Sequence, residues 1–303
     1  MRVAAHLAQA GVAFAVAACA ATGPADSPPP YATRTLTDVP NAAAIVASQW
    51  APGLADGYVP QGVAVGAGHR WVAAYRSTDP KQNRGPCRLF ALDTDGAPAG
   101  TVDLPATCGH AGGTTFGRDG VLYVADAGHL YRIDARAALA AGRCAAEACR
   151  TLRVGGALRG SALAWRDGVL WFAPYRRSSE GTPHAWRVSE EAMADLLAVP
   201  DAVVDERVAQ RAMPIAFETQ GAAFAADGTL WLTQSGSRFG RLQRLDPLTG
   251  EVTAAFAMPA GIEDIEFDPQ GRLWLVSEAG SQRWNAWAAF YPRVFAVDVA
   301  RLR

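Results

Sequence analysis

The sequence predicts an all-β protein, a β-propeller in which small sheets are arrayed around a central axis. A phrase of strand, tight turn and second strand recurs about every fifty residues, and its clearest copy is 220–232, with an Asp-Gly turn at 227–228. Short strands rich in apolar and aromatic residues separate these turns throughout the chain. A single copy cannot bury both faces of its sheet, whereas copies closed into a ring cover one another.

Each blade is expected to contain four strands, named A to D from the axis outward. The predicted strands are 61–65, 70–75, 87–92 and 100–104 in blade 1; 112–116, 121–125, 129–134 and 150–154 in blade 2; 160–165, 169–173, 183–188 and one within 208–216 in blade 3; 220–224, 229–233, 241–245 and 252–257 in blade 4; and 263–267, 272–276 and 293–298 in blade 5. A helix is predicted over 189–199, because Ser189 is a good N-cap and two glutamates follow it.

Closure of the ring depends on the N-terminal side of the chain. Blade 5 has no fourth strand before Arg303, and segment 33–39 resembles strand D of blade 1, so we expect it to complete blade 5. Residues 42–50 have a helical pattern, although 41–58 also has room for part of a degenerate sixth blade. Five blades are favoured, and six remain the alternative.

The first residues have the pattern of a secretory signal. Arg2 precedes an apolar run over 7–18, and the sequence 16–19 resembles a bacterial lipobox ending in Cys19. The interpretation divides the chain into a lipoprotein-type signal peptide (1–18), a proline-rich tether (19–32) and one propeller domain (33–303). It places the protein in the bacterial cell envelope, as a lipoprotein on the periplasmic side, or in the secreted fraction. Ordinary cleavage after Ala20, without lipidation, is the alternative.

Four cysteines remain once Cys19 is lipidated or removed, and an even number in an exported chain predicts disulfides. Strand direction assigns Cys87 and Cys108 to the face carrying the B–C and D–A loops, here called the top, and Cys144 and Cys149 to the bottom. A strand of roughly 17 Å is far longer than a disulfide can bridge. The predicted pairs are therefore Cys87–Cys108 and Cys144–Cys149, with four free thiols as the alternative.

Composition narrows the possible partners. The net charge of −1 gives no global field that would favour nucleic acid. No stretch is apolar and long enough to span a bilayer in the mature protein, so contact with a membrane is expected only through the N-terminal anchor. The expected partner is a small molecule or a glycan, bound by a monomer.

Polar residues at the ends of strands A and B should encircle a pocket at the top of the axis. They are Gln61 with Arg76, His110 with Asp126, Arg159 with Tyr175, Gln220 with Gln234, and Glu263 and Asp264 with Glu278. Every blade contributes to this ring, which predicts a ligand or metal pocket; a water-filled polar plug is the alternative.

The acidic part of the ring is a candidate cation site. Like charges at Glu263, Asp264 and Glu278 would repel one another unless Ca²⁺ or another divalent cation, or an arginine, compensated them. Amide oxygens of Gln61 or Gln220 could complete the ligand set. Ion pairing to an arginine of the ring, Arg76 or Arg159, is the alternative.

A catalytic reading rests on three other residues. Asp126 could orient the imidazole of His110 as an acid–base pair, and Tyr175 could donate a proton. A hydrogen-bonded structural histidine is the alternative for His110. No nucleophile elbow, zinc-protease motif, phosphate loop or dinucleotide fingerprint occurs in the sequence.

The rim combines aromatic residues with arginines, a combination that suits anionic, sugar or aromatic ligands. Trp284 belongs to a long aromatic loop in blade 5 that also carries Arg283, and Arg238 lies in the corresponding loop of blade 4. The predicted ligand-binding residues are Gln61, Arg76, Arg159, Gln220, Gln234, Arg238 and Trp284.

The repeat Gln-Gly-x-x-Phe, Asp-Gly-x-Leu-Trp at 220–231 resembles the propeller group of NHL, SMP-30/gluconolactonase and streptogramin-lyase-like proteins. Short motifs at Pro60–Gly62, His110–Gly113 and Ser277–Gly280 resemble poorly characterised secreted bacterial propellers. The resemblance implies a propeller over nearly the whole mature chain. Neither the metal ligands of the lactonases nor the catalytic histidine pattern of the streptogramin lyases has a match here.

Three functions follow as expectations. The first is an exported propeller that binds a small molecule, glycan or partner in its top pocket. The second is a metal-assisted hydrolase or lyase in which the acidic cluster holds the cation and His110 acts as the base. The third is an envelope assembly scaffold that uses only the rim.

Overall fold

The computed structural model describes residues 27–303, which form a propeller of five sheets. The strands A to D are Tyr58–Gly66, His69–Arg76, Cys87–Leu92 and Pro98–Asp103 in blade 1; Thr114–Phe116, Val121–Asp126, His129–Asp134 and Cys149–Val154 in blade 2; Ala162–Arg166, Val169–Ala173, His184–Ser189 and Gln210–Pro214 in blade 3; Thr219–Phe224, Leu230–Gly236, Phe239–Leu245 and Val252–Met258 in blade 4; and Ile262–Phe267, Leu273–Ser277, Arg293–Val297 and Ile45–Trp50 in blade 5. The predicted fold class and the five-bladed count are confirmed, and the six-bladed alternative is wrong for these residues.

Alternate side chains of each strand B face opposite neighbouring blades, because successive residues of a strand point to opposite faces of the sheet. In blade 4, Leu230 and Leu232 pack in the core shared with blade 3, whereas Trp231 packs in the core shared with blade 5. The same alternation in the other blades gives five apolar cores, one at each interface between blades. Burial of both faces explains why the strands are almost continuously apolar.

The ring is closed by Ile45–Trp50, which pairs antiparallel with Arg293–Val297 as strand D of blade 5. Closure by an N-terminal strand was predicted, but its position was not. Segment 33–39 is not a strand; Thr37 instead exchanges hydrogen bonds with the backbone of Phe290. Only Ala42–Ala44 within the predicted helix is helical, as one 3-10 turn. The open edge of blade 5 offers backbone partners that outweigh a weak local helix propensity.

Two α-helices lie between strands C and D of their blades. Helix α2, Glu190–Leu197, was predicted, and the Ser189 side chain accepts a hydrogen bond from the backbone of Ala192 as its N-cap. Helix α1, Ala135–Ala141, was not predicted; its N-cap is Asp134. The two-residue strand Val203–Val204 pairs in parallel with strand D of blade 2, so that sheet has five strands.

Both predicted disulfides are present. Cys87 and Cys108 have Cα atoms 5.8 Å apart at the top, and Cys144 and Cys149 have Cα atoms 5.4 Å apart at the bottom. Each bond joins the first residue of a strand, Cys87 or Cys149, to a cysteine in a loop. The pairing supports the strand directions from which it was predicted.

The N-terminal side of the described chain is already attached to the propeller before residue 33. The Tyr31 hydroxyl donates a hydrogen bond to the Gly280 carbonyl, 3.0 Å away. The signal peptide, Cys19 and most of the tether lie outside the described residues and stay predictions. Within residues 27–303, no helix combines the length and apolar character that crossing a membrane requires.

Candidate functional site

A cavity of about 650 Å³ lies at the top of the axis, where the sequence predicts a pocket. Every blade contributes a residue to its wall: Gln61, His110, Ser161, Gln220 and Glu278, in blade order. The strand A ends converge on the axis and bring together residues more than two hundred positions apart in the sequence. An open cavity with convergent polar groups is typical of a ligand site.

The floor of the cavity is a pair of carboxyl groups from blade 5. Glu263 and Glu278 are 4% and 8% exposed, and their side chains are hydrogen-bonded to each other. Oε2 of Glu278 accepts hydrogen bonds from Nε2 of Gln61 at 2.8 Å and from Nε1 of Trp284 at 2.7 Å. Oε1 of Glu263 accepts a hydrogen bond from Nε2 of Gln220 at 3.1 Å.

The contacts of the pair show how its charge is distributed. Two carboxylates in contact require a shared proton, because like charges at this distance repel strongly. Burial and the neighbouring Glu278 raise the pKa of Glu263 well above its usual range, and burial raises the pKa of Glu278 to about 7. Glu278 accepts the two N–H donors and is the ionised partner, so Glu263 carries the proton and donates it to Glu278.

Asp264, the third acidic residue of the predicted cation site, lies apart from this pair. It is fully buried on the axis, where Oδ2 accepts hydrogen bonds from the backbone N–H groups of Thr114 at 2.7 Å and Val63 at 3.3 Å. It therefore connects blade 5 to blades 1 and 2. Burial raises its pKa, and these backbone N–H groups oppose the increase.

The arrangement does not suit a divalent cation. The amide nitrogens of Gln61 and Gln220 face the carboxyl pair, where a metal site would need amide oxygens. The two N–H donors to Glu278 and the proton of Glu263 already compensate the acidic floor. Among residues 27–303, no group of three His, Cys, Asp or Glu side chains has the geometry to hold a metal ion. The alternative ion pairs are also absent from this part of the chain: Arg76 donates to the Asp56 carbonyl, and Arg159 pairs with Glu180.

His110 is held in one tautomer in the cavity wall. Its Nδ1 lies 2.5 Å from the Asn83 carbonyl oxygen, and since a carbonyl only accepts, Nδ1 carries the proton. The ring stacks on Tyr75, with centroids 4.3 Å apart. Burial lowers the pKa of His110, so the imidazole is neutral near pH 7 and the lone pair of Nε2 is left to accept a proton.

The predicted pairing of His110 with Asp126 is wrong. The buried Asp126 carboxylate instead accepts hydrogen bonds from the Arg84 guanidinium at 3.2 Å and from the backbone of Gly109 at 2.8 Å. Asp126 fixes the loop that carries His110 and does not orient the imidazole. The Asn83 carbonyl has that role, and a backbone group cannot be recognised from residue type.

Three predicted ligand-binding residues lie outside the cavity lining: Arg76, Gln234 and Arg238. Nε of Arg76 donates to the Asp56 carbonyl, and the Gln234 amide donates to the Phe217 carbonyl, so both stabilise loops. Arg238 is exposed on the blade 4 loop. The other predicted ligand-binding residues, Gln61, Arg159, Gln220 and Trp284, line the cavity, as do the predicted catalytic residues His110 and Tyr175.

Sequence reasoning assigned no role to Tyr75 and treated Arg283 only as part of the rim, yet both shape the site. Arg283 is buried, contacts the Tyr75 hydroxyl and donates to the carbonyls of Asp79 and Pro80. Its guanidinium also lies over the Trp284 ring, 4.1 Å from the centroid. The aromatic-rich loop around Arg283 was the available signal, but nothing in it showed that the loop folds inward.

The mouth of the cavity has the opposite charge to its floor. Its cationic residues, here called the cationic rim, are Lys81, Arg84, Arg159 and Arg177. Arg84 and Arg159 are half exposed, and each already has an acidic partner, Asp126 at 3.2 Å and Glu180 at 3.5 Å. The cavity therefore presents an acidic, buried end and a basic, solvated end.

Comparison with known proteins identifies the fold only. No family model and no curated protein matches the chain. A glutaminyl cyclase from Myxococcus xanthus is similar in structure, with 17% identity, coverage of 84% of this chain and 94% of the cyclase, and a TM-score of 0.52. A gluconolactonase from Xanthomonas campestris is 19% identical over 81% of this chain and 83% of its own, with a TM-score of 0.41. A streptogramin B lyase is 14% identical over 80% of this chain and 65% of the lyase chain, with a TM-score of 0.39. The alignment with the cyclase confirms the propeller fold that the repeats predict, and the lactonase and the lyase come from the group that the repeats resemble.

Proposed function

We propose that the protein binds a small organic molecule in the axial cavity. The proposal is carried by the Glu263–Glu278 pair, two buried carboxyl groups at the floor of an open cavity. Burying two acids is costly, and a folded core gains nothing from them that apolar residues would not supply. A ligand that hydrogen-bonds to them would account for their position beside a cavity of about 650 Å³.

Export to the cell envelope is part of the same proposal. Two disulfides support an oxidising compartment, because disulfides persist outside the cytoplasm and are rare within it. The lipobox-like 16–19 would then attach the mature chain through Cys19, with the cavity in the periplasm or outside the cell.

A ligand screen by thermal shift tests the binding function. We expect one or more small molecules from a mixed set of sugars, lactones, amino acids and organic acids to raise the Tm by several degrees, since ligands that bind only the folded state stabilise it. Glu278→Gln should abolish the shift, because it removes the charged acceptor of the floor. Glu251→Gln, at an exposed turn of blade 4, is the matched control and should keep it. Equal shifts in wild type and Glu278→Gln would contradict binding at this site.

An acid–base enzyme is the second candidate, favoured by the fixed tautomer of His110. A neutral imidazole with Nε2 free to take a proton and a protonated Glu263 line the same cavity, which supplies a base and an acid together. The glutaminyl cyclase with the same fold is named as an enzyme, so the architecture accommodates catalysis. The rim-only scaffold, by contrast, leaves the open cavity and its buried acids without a role.

A further inference from the structure

The acidic floor and the cationic rim lie at opposite ends of the cavity. This separation of charge limits the chemical class of ligand that the cavity can bind. The floor carries one negative charge, shared by Glu263 and Glu278, and it is buried beneath the blade ends. The mouth carries the four cations of the cationic rim. A purely cationic ligand would be repelled at the mouth, and a purely anionic ligand would be repelled at the floor. A ligand with both charges satisfies both ends.

The floor is also built for a hydrogen-bond donor. Glu278 accepts from Gln61 and Trp284, Glu263 accepts from Gln220, and both carboxyl groups line the cavity. The proton between the two acids occupies a place that an ammonium group could take, because an ammonium supplies both positive charge and several N–H donors.

The mouth offers an acceptor site for an anion. Arg84 and Arg159 are each paired with one carboxylate, whereas Lys81 is exposed and makes no ion pair within residues 27–303. Arg177 is likewise exposed and makes no ion pair in this part of the chain. Lys81 and Arg177 are therefore the rim cations whose charge is least compensated. A carboxylate or similar anion of the ligand can pair with either of them without breaking an existing salt bridge.

We propose that the axial cavity recognises an amphoteric small molecule, with an ammonium group on the Glu263–Glu278 floor and an anionic group at the cationic rim. This inference rests on the proposed binding function. In the complex, the ammonium takes the place of the shared proton, and the proton of Glu263 passes to solvent. Glu263 and Glu278 are then both carboxylates, and both accept hydrogen bonds from N–H groups. Binding therefore releases the shared proton. At slightly acidic pH it releases more than one proton per ligand, because the pKa of Glu278 is about 7 and this carboxyl is then itself partly protonated.

Other titratable and charged groups face the pair and set the background for this exchange. They are Asp264 on strand A of blade 5, Arg283 on the blade 5 loop, Tyr75 on strand B of blade 1, His110 before strand A of blade 2, and Tyr175 after strand B of blade 3. Arg283 already donates hydrogen bonds to two backbone carbonyls and contacts the Tyr75 hydroxyl. The phenols of Tyr75 and Tyr175 stay neutral near pH 7, because burial raises the pKa of both. Among these groups, the carboxyl pair therefore exchanges protons most readily near pH 7.

Calorimetric titration with matched probes tests the inference. The probes are an ω-amino acid series from 4-aminobutyrate to 8-aminooctanoate, together with hexylamine and hexanoate, which each lack one charge of 6-aminohexanoate. We expect at least one amino acid of the series to bind about tenfold or more tightly than either singly charged probe. Titration at pH 6 in buffers of different ionisation enthalpy should show proton release, and affinity should rise toward pH 8 as Glu278, whose pKa is about 7, loses its proton.

Two variants locate the charges. Glu278→Gln should weaken binding of the amino acid and of hexylamine but not of hexanoate, and Lys81→Gln should weaken binding of the amino acid and of hexanoate but not of hexylamine. If the singly charged probes bind as tightly as the amino acids, if no probe of the set binds, or if binding releases no proton at pH 6, the amphoteric assignment is overturned. Each of these results leaves the binding function standing whenever the broader thermal-shift screen yields a Glu278-dependent ligand.

Discussion

Replacing Gly113 with alanine should lower the free energy of unfolding by about 3 kcal/mol, because the new methyl group has no room at the axis. A Cβ at Gly113 would lie 2.4 Å from the backbone nitrogen of Leu163 and 2.6 Å from the backbone of Ala162. Both belong to the strand A region of the next blade, so relief of the clash requires two blades to move apart. Backbone atoms cannot rotate away as a side chain could.

Gly128→Ala in the same blade is the matched control, since a Cβ there meets no atom within 4 Å. Urea unfolding of both variants measures the difference. A loss at Gly113 no larger than that at Gly128 would show that the inner strands are not in close contact around the axis.

Replacing Asp264 with alanine should lower the free energy of unfolding by about 2–5 kcal/mol, since the buried N–H groups of Val63 and Thr114 lose their acceptor. These N–H groups belong to blades 1 and 2, and Asp264 belongs to blade 5. The alanine variant therefore loses a connection among three blades that the apolar cores between neighbouring blades do not replace.

Asp264→Asn separates hydrogen bonding from charge. The amide keeps an acceptor oxygen and is neutral, a form that burial already favours by raising the pKa of Asp264. We expect it to unfold within about 1 kcal/mol of the wild type in the same urea experiment. Equal losses for the alanine and asparagine variants would mean that the two backbone hydrogen bonds contribute little to stability.

Most strands could be predicted from the sequence because each blade repeats one physical pattern. Turn residues bound the strands, and burial of both sheet faces makes the strands nearly continuous in apolar residues. The closing strand was misplaced because Ile45–Trp50 has no partner nearby in sequence; its partner, Arg293–Val297, lies at the other end of the chain. The local sequence pattern cannot identify a strand that is stabilised by pairing with a strand edge far away in the sequence.

The location of the site followed from topology, but its chemistry did not. Equivalent strand ends in the sequence alone predicted that Gln61, Gln220, Glu263 and Glu278 line the site. Residue type alone could not show that the glutamines present their amide N–H groups, nor that Asp264 turns toward backbone N–H groups on the axis. The residues expected to bind a cation therefore form a pair of carboxyl groups, Glu263 and Glu278, that share a proton.

The indole N–H resonance of Trp284 tests the central claim most directly, because this group donates to Glu278 at the cavity floor. In ¹H–¹⁵N spectra, with the signal assigned through Trp284→Phe, we predict a downfield shift with a midpoint near pH 7, where Glu278 titrates, as its carboxylate strengthens the hydrogen bond. Glu278→Gln should remove the transition. A Trp284 signal that stays constant from pH 5 to pH 9, or titrates unchanged in Glu278→Gln, would contradict a proton-sharing carboxyl pair at the base of a ligand cavity.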